Sequence, residues 1–238
     1  MANATSFESN CPSFSMKEIV VDIGCGGKNN LNLYGFSGEP TIALDQSKNF
    51  LERRRDGSFS GNLAEGDAEN LPLKTASADQ VFATHVLEHV NELDSTLEEI
   101  DRILRPGGKI TIAVPHPRFE SIMEKLDEEY HSSKMHQRVI RPKEALELLE
   151  ARDYEIIHYE TRGFTAALRI TFSYLLHLKL LRNRSMEPQS GLLVKQDGQH
   201  ANHASMNKVR RRLFSFSAVK IIDKFFPFET VVQAVKNK

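Results

Sequence analysis

A buried strand that breaks into glycines is the feature that most constrains the fold of this chain. The segment KEIVVDIGCGGKN, residues 17–29, has a β-branched run at positions 19–23 that includes the acid Asp22. Such a run predicts a buried strand. Three glycines follow it directly: Gly24, Gly26 and Gly27. Glycine adopts positive φ and has no Cβ, so the segment predicts a turn whose backbone N–H groups touch a small ligand.

Strand-like and helix-like segments alternate along the rest of the chain, which predicts an α/β fold with a doubly wound, mostly parallel sheet. Strands are expected at 41–45, 62–66, 79–84, 109–115, 155–162 and 230–236, and helices at 47–55, 94–104 and 142–152. The segment LNLYGFSGEP after the glycine turn is too rich in glycine and proline for a long helix.

Two further acids, Asp45 and Asp67, stand at or just after the ends of predicted strands. Asp45 is placed where a carboxylate accepts both hydroxyls of a ribose, or where it caps the short helix that follows. Asp67 is placed either in a ligand site or in a plain turn. The dinucleotide pattern G-x-G-x-x-G fails, because Asn29 stands at its third glycine position.

Five segments between Ile19 and Pro115 together resemble the class I S-adenosylmethionine-dependent methyltransferases of type 11: VVDIGCGG, IALD, EGDAENLPL, ADQVFATHVLEHV and LRPGGKITIAVP. The resemblance implies a seven-stranded Rossmann-like sheet with an antiparallel last strand. It also implies S-adenosyl-L-methionine as cofactor and methyl transfer to a small-molecule acceptor or a lipid- or sugar-linked one. The methyltransferase domain is expected over 17–238, with a flexible tail at 1–16 and a helical insert at 163–228 before the last strand.

The resemblance also implies which residues hold the cofactor. Asp45 is expected at the ribose, Asp67 at the adenine amino group with main chain from Ala68, and His85 in the pocket wall through its backbone. The full predicted set is Asp22, Gly24, Cys25, Gly26, Gly27, Asp45, Gln46, Asp67, Ala68 and His85. The sequence departs from the family at Lys28, where a third glycine is usual.

The histidines offer two kinds of chemistry. HVLEH, residues 85–89, matches a zinc-peptidase signature, but that signature needs a helix and a third ligand, and here the segment follows a predicted strand. We therefore predict no metal. His116 and His136 are the candidate general bases near the acceptor, because histidine titrates near neutral pH; the alternative is that each is a solvated loop residue. An acceptor at carbon or an amine needs no base.

Charge and cysteine content suggest location and partners. The chain has 238 residues and two cysteines, Cys11 and Cys25, and residues 1–16 lack a signal-peptide pattern. A reducing, cytoplasmic setting is therefore expected. Residues 164–227 contain eleven Lys and Arg against three acids. This basic, apolar segment is expected to form a lid over the acceptor, to contact an anionic membrane surface, or both. The membrane contact would be peripheral, at the inner membrane surface. A nucleic-acid partner is not expected.

A spanning helix is not expected within this segment. The uncharged stretch between Arg169 and Lys179 is only nine residues long. A membrane-spanning helix needs about 20 predominantly apolar residues. Two other functions stay open for the whole chain. One is an NAD-type oxidoreductase, and the other is a non-catalytic binding or membrane-surface scaffold that retains the fold.

Overall fold

The computed structural model describes residues 18–56, 59–126, 136–163 and 227–237. The strands are β1 Val20–Ile23, β2 Ile42–Asp45, β3 Asn62–Glu65, β4 Ala78–Thr84, β5 Leu104–Pro115, β6 Tyr154–Arg162 and β7 Glu229–Lys236. The helices are α1 Lys48–Asp56, α2 Leu93–Ile103, α3 Pro117–Leu126 and α4 Pro142–Glu150, with a short 3-10 helix at Leu31–Tyr34.

The seven strands form one sheet in the order β3-β2-β1-β4-β5-β7-β6. The pairs among β1 to β5 are parallel, and β7 pairs antiparallel with both β5 and β6. This confirms the predicted α/β sheet and its antiparallel last strand. The strand order reverses between β1 and β4, and ligands of open α/β sheets bind beyond the carboxyl ends of the strands at such a point.

Both faces of the sheet are covered, which explains why its strands are apolar runs. On one face Val20 and Phe82 pack with Leu31 and Tyr34 of the 3-10 helix. On the opposite face, neighbouring strand residues pack against α2 and α4. These are Val21, Val81, Ile112 and Val232 from the strands, and Leu97, Ile100, Ala145 and Leu149 from the helices.

Two details differ from the sequence prediction, and a third agrees with it. The helix α3 was not predicted. The strand β5 begins at Leu104, directly after α2, and passes through Gly107 at φ +76°. The glycine turn is followed only by one 3-10 turn, as the glycine and proline content of that segment predicts.

The predicted insert begins and ends at neighbouring points of the sheet. Arg162 of β6 lies opposite Glu229 of β7, and the Phe228 N–H donates to the Arg162 carbonyl at 2.8 Å. The tail at 1–16 and residues 164–226 of the insert lie outside the described residues. Among the helices that the structure describes, none is long and apolar enough to cross a membrane.

Candidate functional site

The glycine turn after β1 has the backbone shape that its sequence predicts. Gly24 and Gly26 have φ values of +63° and +57°. The Cys25 N–H donates to the Leu44 carbonyl of β2 at 2.9 Å, which ties the turn to the sheet. A Cβ at Gly24 would collide with the Val86 side chain, whereas a Cβ at Gly26 would meet nothing within 4 Å. The turn is therefore packed at Gly24 and open at Gly26.

A buried ion pair supports this turn from below. Asp22 is 2% exposed, and its Oδ2 lies 3.1 Å from Nη1 of Arg54, which is also buried. The same Nη1 donates to the carbonyls of Cys25 at 2.7 Å and of Lys28 at 3.2 Å. Burial raises the pKa of Asp22 to about 7, against the opposing effect of the Arg54 charge. The structure thus places Asp22 beneath the turn, where it acts through Arg54.

Asp45 joins the turn to the second strand. Its Oδ2 accepts the Gly26 N–H at 2.9 Å, and its Oδ1 accepts the Ser47 N–H at 2.8 Å, just before α1. The second bond is the capping interaction that we considered as the alternative role. A carboxylate has about four acceptor positions, so two hydrogen bonds leave Asp45 with capacity for a ligand.

The residues predicted to contact the adenine, Asp67 and Ala68, follow β3, which is the neighbour of β2 in the sheet. Asp67 is exposed, Ala68 is buried at 6%, and Gln46 Nε2 donates to Asp67 Oδ1 at 3.5 Å. The Asp67 Oδ1 also accepts the Glu69 N–H at 3.0 Å, which holds the carboxylate in place. The predicted cofactor residues therefore follow adjacent strands in one continuous row beyond β3, β2, β1 and β4.

This row fits S-adenosyl-L-methionine. It offers an open left-handed backbone at Gly26 and two carboxylates, Asp45 and Asp67, each held by backbone N–H groups. Burial, together with the Asp22 charge, raises the pKa of the Cys25 thiol to about 12. The thiol stays protonated at neutral pH, so it is not a nucleophile within this turn.

His85 closes the row after β4. It has φ +56°, and its N–H donates to the Ala113 carbonyl at 2.8 Å. Its ring lies between two carboxylates, with Nε2 3.0 Å from Glu229 Oε2 and Nδ1 3.3 Å from Glu88 Oε1. Burial lowers the pKa of His85, but the hydrogen bond to Glu229 and the charges of both carboxylates outweigh it and raise the pKa to about 9. His85 is therefore an imidazolium at neutral pH and does not act as a base.

Glu229 connects this imidazolium to two more side chains. It accepts from Arg162 Nε at 2.8 Å and from the Tyr34 hydroxyl at 3.0 Å, and the Arg162 guanidinium stacks on the Tyr34 ring. Burial raises the pKa of Glu229, but the hydrogen bond and charge of His85, together with Arg162, hold it below its usual range. This network was not predicted from the sequence, because the four residues come from distant segments. No sequence motif links Glu229 to any of the other three.

The two candidate bases lie beyond β5 in different surroundings. His116 is half-buried, its Nδ1 accepts the Arg118 N–H at 3.2 Å, and burial lowers its pKa. His136 Nδ1 lies 2.9 Å from Oε2 of the buried Glu120. Residues 85–89 are not helical and contain a turn at 87–89, so the helix that a zinc-peptidase signature requires is absent from HVLEH.

Residues 21–112 match the model of a protein family described as a methyltransferase domain. The malonyl-[acyl-carrier protein] O-methyltransferase of Pectobacterium atrosepticum is 34% identical over 94 residues, which are 40% of this chain and 37% of that protein. The demethylmenaquinone methyltransferase of Renibacterium salmoninarum is 35% identical over 105 residues, 42% of this chain and 43% of that protein. The matching part of the chain thus spans less than half the length of these relatives.

The fold has counterparts among solved structures. A SAM-dependent methyltransferase of Thermotoga maritima superposes with a TM-score of 0.56 at 17% identity, covering 94% of this chain and 84% of that one. At this identity the likeness shows the fold alone. The family match confirms the resemblance that the five sequence segments carry. Residues 21–112 therefore match a methyltransferase domain, and S-adenosyl-L-methionine is the cofactor that this match implies.

Proposed function

We propose that the protein transfers a methyl group from S-adenosyl-L-methionine to a nucleophile of a small-molecule acceptor or a lipid- or sugar-linked one. The row of residues from Asp67 through Asp45 and Gly26 to His85 carries the proposal. It runs across four neighbouring strand ends at the point where the strand order reverses. Together with the family match, it favours this cofactor over a dinucleotide.

The chain's own residues bind and position the reactants. Asp45 would accept the ribose hydroxyls, Asp67 and the Ala68 main chain would contact the adenine, and the Gly26 backbone would lie against the amino-acid end. The cofactor supplies a methyl group already activated by the sulfonium charge. The protein then contributes by aligning the two reacting atoms and excluding water. Proximity and orientation lower an activation barrier by about 7–11 kcal/mol in well-aligned cases.

The acceptor is expected beyond β4 and β5, beside the side chains of His116 and His136. The two relatives are named for methylation of malonyl-[acyl-carrier protein] and demethylmenaquinone, and acceptors of either chemistry are compatible with this proposal. The basic segment 164–227, which would favour an anionic acceptor or membrane surface, lies largely outside the described residues. That role stays a prediction from the sequence.

Calorimetric titration tests the cofactor directly. We expect saturable binding of S-adenosyl-L-methionine and of its demethylated product, and none of NAD. Binding of NAD without either adenosyl compound would favour the oxidoreductase function. Binding of neither would favour the non-catalytic scaffold.

Asp45→Ala is expected to weaken cofactor binding by at least about a hundredfold, because it removes two hydrogen bonds to a carboxylate, which contribute about 1.5–3 kcal/mol each. The same calorimetric titration measures the change in dissociation constant. Asp94→Ala is the matched control, since the Asp94 side chain is 81% exposed and lies in α2. An unchanged dissociation constant in Asp45→Ala would remove Asp45 from the ribose role.

A further inference from the structure

Three side chains outside the cofactor row converge beside it. Potential ligand atoms of Glu88, His89 and His136 all lie within 4.8 Å of one another. Glu88 is 1% exposed, and neither of its carboxylate oxygens makes a hydrogen bond within the described part of the chain. The nearest ring nitrogens are His85 Nδ1 at 3.3 Å and His89 Nε2 at 3.8 Å. The His85 imidazolium and His89 both lie against Oε1, so a cation bound to Glu88 would further offset the cost of burying this carboxylate without hydrogen bonds.

A second carboxylate orients one of the histidines. Glu120 is 3% exposed, and its Oε2 lies 2.9 Å from His136 Nδ1. A carboxylate on Nδ1 favours the tautomer with the proton there and the lone pair on Nε2, which is the arrangement found behind metal-bound histidines. The His89 and His136 rings meet edge to face with centroids 4.8 Å apart. The His89 side chain is 41% exposed, so solvent reaches the group.

We propose that Glu88, His89 and His136 bind one divalent transition-metal ion, with Glu120 orienting His136. Two imidazoles and one carboxylate suit zinc, iron(II) or manganese(II) better than calcium or magnesium, which prefer oxygen ligands alone. Ligand atoms about 2.0–2.1 Å from a zinc ion stand roughly 3.3 Å apart when the ion is tetrahedral. The ligand atoms here, all within 4.8 Å of one another, therefore need to draw together by at most about 1.5 Å, and His89 is the most exposed of the three side chains.

The position of the group connects it with the proposed acceptor. Glu88 and His89 follow β4, and Glu120 lies in the helix that follows β5. Three protein ligands leave a coordination position for a further oxygen, as in catalytic zinc sites. An acceptor oxygen bound there would have a lowered pKa. This role rests on the proposed function, whereas the metal site itself does not.

The test uses the full chain, stripped with a chelator and titrated calorimetrically with zinc chloride in the absence of cofactor. We expect one zinc ion per chain. In Glu88→Gln and in His89→Ala the affinity should fall by at least about 100-fold, since loss of an orienting partner alone costs about 10–100-fold. His89→Ala changes an exposed side chain, so it does not disturb the core. His158→Ala, which alters a histidine on β6 with a 48% exposed side chain, is the control and should bind as the wild type does.

Cobalt(II) provides a second readout, because its visible absorption reports a low-coordinate site with nitrogen and oxygen ligands and should vanish in His89→Ala. Absence of saturable zinc binding in the wild type, or equal losses in His158→Ala and His89→Ala, would overturn the proposal. Zinc binding without S-adenosyl-L-methionine binding would keep the metal site and reject the proposed methyl transfer. Cofactor binding without zinc binding would keep the proposed methyl transfer and reject the metal site.

Discussion

Replacing Gly24 by valine is expected to abolish binding of S-adenosyl-L-methionine while most of the fold is kept. Gly24 has φ +63°, and any Cβ there would collide with the Val86 side chain. A β-branched residue in the left-handed region costs about 1–3 kcal/mol, and relief of the strain would move the turn that carries Gly26. Calorimetry would measure the lost affinity, and urea unfolding the remaining stability.

Gly107→Ala separates conformational strain from damage to the site. Gly107 has φ +76°, and a Cβ there would meet nothing within 4 Å. It lies near the amino end of β5, away from the carboxyl ends of the strands where the proposed cofactor site lies. This variant should lose stability and keep cofactor affinity. If Gly24→Val retained wild-type affinity, the glycine turn would not be the cofactor site.

Arg54→Leu is expected to lower the free energy of unfolding by about 3–5 kcal/mol, because removal of one partner leaves the other charge of a buried pair uncompensated. It also removes the donor that joins the Cys25 and Lys28 carbonyls. Cofactor affinity should fall too, since those carbonyls belong to the glycine turn. Urea unfolding at about pH 8, above the Asp22 pKa of about 7, measures the first effect, and calorimetry measures the second.

A double-mutant cycle with Asp22→Asn tests whether loss of the Asp22–Arg54 ion pair causes the loss of stability. The double variant should be less destabilised than the sum of the single variants, because residues in direct contact are coupled by about 0.5–3 kcal/mol. Arg55→Leu is the matched control, as Arg55 is the next residue of α1 and is exposed. Equal effects of Arg54→Leu and Arg55→Leu would contradict the structural role given to the ion pair.

The sheet was largely predictable from the sequence, because strands buried on both faces are recognisable as short apolar runs between turns. α2 was predicted because its apolar residues recur on one face. α3 carries a weaker form of the same signal: Phe119 and Met123 lie one turn apart and are both buried. The interpretation missed α3 because that part of the chain falls beyond the segments that resemble the family.

The site was predictable only where its chemistry is local. Acids at strand ends and glycines after a strand are visible in the sequence, so Gly26, Asp45 and Asp67 could be named as candidates, and the structure places them near the carboxyl ends of neighbouring strands. Arg54 was not, since Arg53 and Arg55 look the same and only tertiary packing buries one of the three. Glu229 and His85 are 144 residues apart, and no local pattern links them.

The pairing of Arg162 with Glu229 has a consequence for how this protein tolerates change. The two strand ends are held by the sheet itself, so the chain between Arg162 and Glu229 closes a loop whose two ends are fixed side by side. Closing such a loop becomes costlier only slowly with length, by about 0.6 kcal/mol for each doubling. A change in the number of residues between Arg162 and Glu229 is therefore expected to cost little stability and to leave the residues that follow β1 to β4 in place.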